Sequence, residues 1–155
     1  MRGTGPRAAG WRERVALPLM GCVALEAKLD TGARSSALHA TEVEPFEERG
    51  RRRVRFKLAG QHGLQVADLV EMRRVRDSSG RVELRPVLMT RLVLGGTGWP
   101  IELTLTGRGS LSCPLLLGRR ALAGRVIVHP DAKYLLSTPT LARRAAVGRL
   151  RRSRA

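Results

Sequence analysis

A chain of 155 residues holds one domain with a real core and is short for two. Its 43% apolar content excludes a disordered chain, while 3% aromatics leaves an aliphatic core and excludes a dedicated stacking platform for single-stranded nucleic acid. The net charge is +16, yet all 13 acids lie between Glu13 and Asp131, so much of the excess sits at the ends.

Residues 1–10 are rich in Gly, Arg and Ala and read as a flexible N-terminus. From Val15 the chain predicts two short strands split at Pro18 to Gly21. The apolar run "VALPLMGCVAL" is broken by that proline and glycine and is far short of a membrane span. Behind Arg12 and Arg14, "LPLMGC" also has a faint likeness to a lipoprotein signal ending at Cys22, set against a strand that belongs to the fold. The expected location is cytoplasmic, with no membrane partner. In "CVALEAKL", Val23, Leu25, Ala27 and Leu29 alternate with more polar neighbours, the period of a half-buried strand. Asp30-Thr31-Gly32 then ends the strand in a turn, and helix-capable residues follow it.

"VRFKL" alternates again, with Val54, Phe56 and Leu58 on one side. Asp77, Ser78, Ser79 and Gly80 make a hairpin tip between strand-capable arms that carry Arg76 and Arg81. "PVLMTRLVL" reads as a long strand and "GGTG" as the next turn. In "WPIELTLT", Trp99, Ile101, Leu103 and Leu105 point inward while Glu102 and Thr104 point outward. "PLLLG" is a buried strand stopped by Gly118, "RRALAG" one short helix, and "RVIVHP" a last strand. Short strands with glycine turns and one short helix predict an all-β domain, barrel-like or sandwich-like. The domain is expected over residues 11–136, followed by a basic, disordered tail at 137–155. The last fifteen residues hold six arginines and no acid, so the tail is a candidate for weak RNA or ribosome association, or simply a solvated end.

Cys22 and Cys113 are far apart and imply neither a disulfide framework nor a zinc site. A lone Asp-Thr-Gly is a weak signal, but some 80 residues on, "PLLLGRRAL" adds an apolar strand, a glycine and a helix start. The pair "KLDTGARSSAL" and "PLLLGRRAL" resembles the retroviral-type aspartic proteases. With "GWRERVALP", "EPFEE", "VRFKL", "DSSGRVELRPVLMTRLVLGG", "WPIELTLT" and "KYLL", the chain is more closely similar to a bacterial retropepsin-like family. That family is often labelled an ATP-dependent zinc protease and is associated with the ligase that adds glutamates to a small-subunit ribosomal protein.

The resemblance implies a single retropepsin-like β-barrel acting as a homodimeric aspartic endopeptidase, one Asp-Thr-Gly per chain, with no cofactor. Asp30 would be the catalytic carboxylate and Thr31 would bond across the dimer. Gly32 would admit the partner's backbone, and Ala33 would lie at the floor of the site. Gly118, with Arg119, would support the turn from beneath. The hairpin of Arg76, Asp77, Ser78, Ser79, Gly80 and Arg81 would be the flap that closes on a peptide or protein substrate. The associated ligase and the basic chain point to a glutamate-rich substrate. The zinc label finds no ligand set here: there is no HExxH, and His39, His62 and His129 are scattered. Nor does "GGTGWP" carry the Lys and hydroxyl that a nucleotide phosphate needs. Arg120, Gly107 and His129 stand where the family pattern leads one to expect an acid or amide. The same features also fit an inactive, basic binding or regulatory module linked to ribosomal-protein glutamylation.

Overall fold

The computed structural model describes residues 5–58, 63–77, 79–107 and 113–137; Ser78, His62 and the tail from 138 onward lie outside them. Ten strands run in chain order: β1 (Arg7–Leu17), β2 (Cys22–Leu29), β3 (Ala37–Glu48), β4 (Arg51–Leu58), β5 (Leu64–Asp68), β6 (Glu71–Arg76), β7 (Val82–Leu94), β8 (Thr97–Thr106), β9 (Leu115–Leu117) and β10 (Val126–Lys133). Among the described residues one short α-helix, α1 (Arg119–Leu122), precedes the last strand, and a single 3-10 turn at Pro18–Met20 joins β1 to β2.

Six of these strands close on themselves. The hydrogen-bonded order β1-β2-β9-β3-β8-β7 returns to β1 through the pair Ala16↔Val93, and the ring is a small barrel. Its inside is aliphatic, as the composition requires: Val15, Leu17, Leu38, Leu88, Leu92, Leu94, Leu103, Leu105, Leu115 and Leu117 are all essentially buried. Burying each such side chain stabilises the fold by about 1.5–3 kcal/mol. Beyond the barrel, β4 and β5 extend β3 as an arm, β6 extends β7, and β10 flanks β1.

Two hairpins turn on two-residue loops whose residues all have positive φ. Arg49-Gly50 joins β3 to β4 at φ 52° and 76°, and Gly95-Gly96 joins β7 to β8 at 59° and 81°. That is the turn geometry whose twist matches the flanking strands, and glycine adopts it at no steric cost. Trp99 fixes the helix to the barrel, its indole Nε1 donating to the Ala121 carbonyl at 2.9 Å.

Four sequence expectations change. Residues 7–10 are not loose, because β1 starts at Arg7 and pairs in parallel with β10 from Arg7↔Val126 to Gly10↔His129. The residues after the Asp-Thr-Gly turn form β3 rather than helix, since Ala37 and Leu38 are claimed by β8 and β9 on either side. Thr104 points into protein, only 1% exposed, with its hydroxyl donating to the Ser36 carbonyl at 2.9 Å. Ser137 belongs to the domain and not to the tail. It is buried and bonded to the fully buried carboxylate of Glu13, which also accepts from the amides of Gly10 and Leu136.

Candidate active site

Asp30 sits where β2 leaves the sheet. Its amide donates to the Leu117 carbonyl at 2.8 Å, continuing the parallel β2–β9 ladder by one more bond. The chain then reverses. Ala33 N donates to the Asp30 carbonyl at 3.2 Å, and Gly32 N donates to Asp30 Oδ1 at 2.9 Å. An aspartate whose own side chain accepts from the amide two residues on is a self-made turn, and here it also aims the carboxylate.

The start of α1 supports this turn from behind. Arg119 N donates to the Ala33 carbonyl at 2.7 Å and Arg120 N to the Arg34 carbonyl at 3.2 Å. The Arg119 guanidinium donates through Nη1 to the carbonyls of Thr31 and Gly32, both at 3.1 Å. Gly118 makes the approach possible, because a Cβ there would lie 2.5 Å from the Ser35 carbonyl oxygen and 2.9 Å from that of Ala33. Its amide donates to Ser36 Oγ at 3.1 Å, so the two segments are stitched as well as close. Gly118 and Arg119 thus hold the turn.

In front of the turn lies a cleft of about 1180 Å³. This exceeds the roughly 300–1,000 Å³ of small-molecule sites and has the scale of an extended peptide. Asp30, Gly32 and Ala33 line it from the barrel, and Arg76, Asp77 and Ser79 line it from the β6–β7 hairpin. Thr31 is exposed, and neither it nor Gly80 nor Arg81 is among the lining residues. Ser78 lies outside the described residues.

Two carboxylates line this cleft, and their surroundings separate their roles. Asp77 Oδ1 accepts from Ser79 N at 2.9 Å, Ser79 Oγ at 2.6 Å and Arg81 N at 3.0 Å, and is therefore committed to shaping the hairpin tip. Asp30 accepts one backbone bond that orients it and is the carboxylate left for chemistry.

Among the described residues, seven cations line the cleft with those two acids: Lys28, Arg34, Arg73, Arg74, Arg76, Arg85 and Arg120. Two are held. Arg85 donates to Glu83 at 2.9 Å, and Arg73 is bound by Glu71 and Glu102. The hydrogen bonds from Arg73 hold the Glu102 carboxyl below its usual range, against the opposing effect of burial, and the charges of Arg73 and Arg120 add to this. Lys28, Arg34, Arg74, Arg76 and Arg120 make no ion pair among the described residues. Sequence reasoning singled out only Arg76 of these five for the cleft. Arg34 was within reach, since it stands two residues past Gly32 and must share the turn's surroundings. Lys28 and Arg74 looked like solvated strand charges, and nothing in the pattern separated them. Among the described residues no group of three or more His, Cys, Asp and Glu side chains is placed to hold a metal ion, and no helix is long and apolar enough to cross a membrane.

Residues 8–139 match the family described as retropepsin-like aspartic endopeptidase RimB. Two curated relatives, both named probable alpha-L-glutamate ligase, come from Parasynechococcus marenigrum and Shewanella halifaxensis. They are 40% and 35% identical over 136 residues, 82% of this chain. The chain spans only 28% and 29% of the length of those proteins. Among solved structures, a Legionella pneumophila protein of unknown function is similar at 29% identity with a TM-score of 0.70, over 84% of this chain and 98% of that one.

Proposed function

Because the chain belongs to the retropepsin-like aspartic endopeptidase RimB family, we propose that it hydrolyses peptide bonds with a carboxylate dyad built from Asp30 of two copies. The observation that carries this is the Asp30 turn itself: a carboxylate aimed into a peptide-sized cleft, on a loop clamped by Gly118 and Arg119. Each chain has one Asp-Thr-Gly, so a dyad needs a second chain on a twofold axis.

Two carboxylates about 3 Å apart cannot both ionise, and they share one proton. The ionised member takes a proton from the water between them as the water oxygen attacks the scissile carbonyl. The protonated member donates to the carbonyl oxygen, and collapse of the tetrahedral species with protonation of the leaving nitrogen breaks the C–N bond. The backbone bond to Asp30 Oδ1 fixes the carboxylate without neutralising it. Gly32 leaves room for the partner's turn, and the β6–β7 hairpin serves as the flap that excludes water.

The substrate class follows from the unpaired cations. Lys28, Arg34, Arg74, Arg76 and Arg120 line the cleft and suit a peptide rich in carboxylates. A segment of this kind inside proteins named as glutamate ligases favours glutamate as the acidic residue. The same cations would also serve a module that binds acidic peptides without cutting them.

The test compares acidic with neutral peptides. Replacing Arg34 and Arg76 together by Gln is expected to raise KM for a glutamate-rich peptide by about tenfold, at ~0.2–1 kcal/mol per exposed charge contact, and to leave a neutral peptide unaffected. Equal effects on both peptides would defeat charge selection. Chelation with EDTA is expected to leave the rate unchanged, and inhibition reversed by zinc would overturn the aspartic mechanism.

A further inference from the structure

Arg73 differs from the five unpaired cations of the cleft. It lies on β6, the outer arm of the hairpin, and lines the same cleft as Asp30 and Arg120. Each of its three guanidinium nitrogens is engaged. Nη1 and Nη2 donate to the two oxygens of Glu102 on β8, the second at 3.2 Å, and Nε donates to Glu71 Oε1 at 2.8 Å. Bidentate pairing of this kind is the geometry in which an arginine recognises a free carboxylate. Glu102 therefore has the chemistry of a substrate side chain, supplied by the protein itself.

We propose that Glu102 is a built-in competitor for the acidic substrate, holding Arg73 until a peptide carboxylate displaces it. This rests on the acidic-peptide reading above and names the residue that sets its strength. A carboxylate entering between Arg73 and Arg120 meets the negative charge of Glu102 and finds the Arg73 fork already filled. Binding at this one position is thereby weakened, while Arg34, Arg74 and Arg76 are untouched. A single acidic residue then gains little from the cleft, and a run of them, engaging the free cations first, gains enough to exchange with Glu102. The ionised state of Glu102 is favoured by Arg73 and Arg120 together, so the competitor persists wherever carboxylates are charged.

The experiment measures binding rather than turnover, with the Asp30→Asn chain as host and fluorescein-labelled hexaglutamate as probe, read by anisotropy. Adding Glu102→Gln keeps the shape and removes the charge. It is expected to tighten hexaglutamate binding by about tenfold and to leave labelled hexaglutamine unchanged. Adding Arg73→Gln as well is expected to abolish the gain, since the released fork is its source. Should Glu102→Gln fail to fold, Glu102→Asp retains the charge but breaks the two-point grip, and an intermediate tightening is expected. Unchanged or weaker binding in a Glu102 variant with a normal melting transition overturns the proposal, as does a gain that survives loss of Arg73. If hexaglutamate binds no variant, the acidic-substrate reading falls with it. Tightening in a protein whose wild type cuts no peptide upholds the competitor and removes the endopeptidase reading alone.

Discussion

Replacing Asp30 with Asn is expected to lower peptide hydrolysis by roughly 10³-fold or more, in the upper part of the range for general acid–base groups, while the melting transition stays where it is. The asparagine Oδ1 can still accept the Gly32 amide, so the turn keeps its self-made bond. The clamp from Arg119 uses backbone carbonyls of Thr31 and Gly32 and does not sense the substitution. What disappears is chemical: an amide neither takes a proton from water nor shares one with a neighbouring carboxylate. Association of two chains should be preserved or slightly strengthened, because two close carboxylates repel unless one is protonated. A cleavage assay beside a thermal melt reads both halves of this prediction. Full activity in the variant would move the chemistry away from the turn, and a collapsed melt would make Asp30 a structural residue first.

The second large effect lies in β1. Glu13→Ala is expected to destabilise the protein by about 3–5 kcal/mol, at roughly 1–3 kcal/mol for each buried donor left without an acceptor. Glu13 is fully buried in β1. One oxygen accepts from Gly10 N at 3.0 Å, and the other from Ser137 N at 3.0 Å and Ser137 Oγ at 2.8 Å, with Leu136 N shared between them. Deleting the carboxylate leaves those donors buried without acceptors and frees the segment after β10 from β1. Glu13→Gln should also be destabilised, since its NH₂ would face an amide donor where an oxygen accepted. Chemical denaturation measures both, and a loss under 1 kcal/mol for Glu13→Ala would show that water or a shift of the chain replaces the network.

Much of the fold was legible because alternation survives wherever one strand face is buried. "VRFKL" and "WPIELTLT" declare their inward sets, and Val54, Phe56, Leu58, Trp99, Ile101, Leu103 and Leu105 are all buried. β3 was not legible, since its Ala and Glu residues favour no strand. Its outer half is held by cross-strand neighbours such as Glu47↔Arg52 and Glu48↔Arg51, which belong to the pairing and not to either segment. The start of β1 has the same origin: "RAAG" is a strand because β10 lies beside it. At the site, the turn residues and Gly118 could be read because few residue types tolerate those positions. Glu13 and Glu102 could not, because a lone glutamate in a strand looks like surface charge until the fold shows what it accepts.

The central claim is that one active site takes an Asp30 from each of two chains, and mixing tests it most directly. Wild-type and Asp30→Asn chains are combined one to one, allowed to exchange partners, and assayed at constant total protein. If the site is composite, only pairs with two wild-type chains work, and activity falls to about a quarter of the wild-type value, following the square of the wild-type fraction. If each chain carries a complete site, activity falls to about half, in direct proportion to that fraction, and the composite dyad is contradicted.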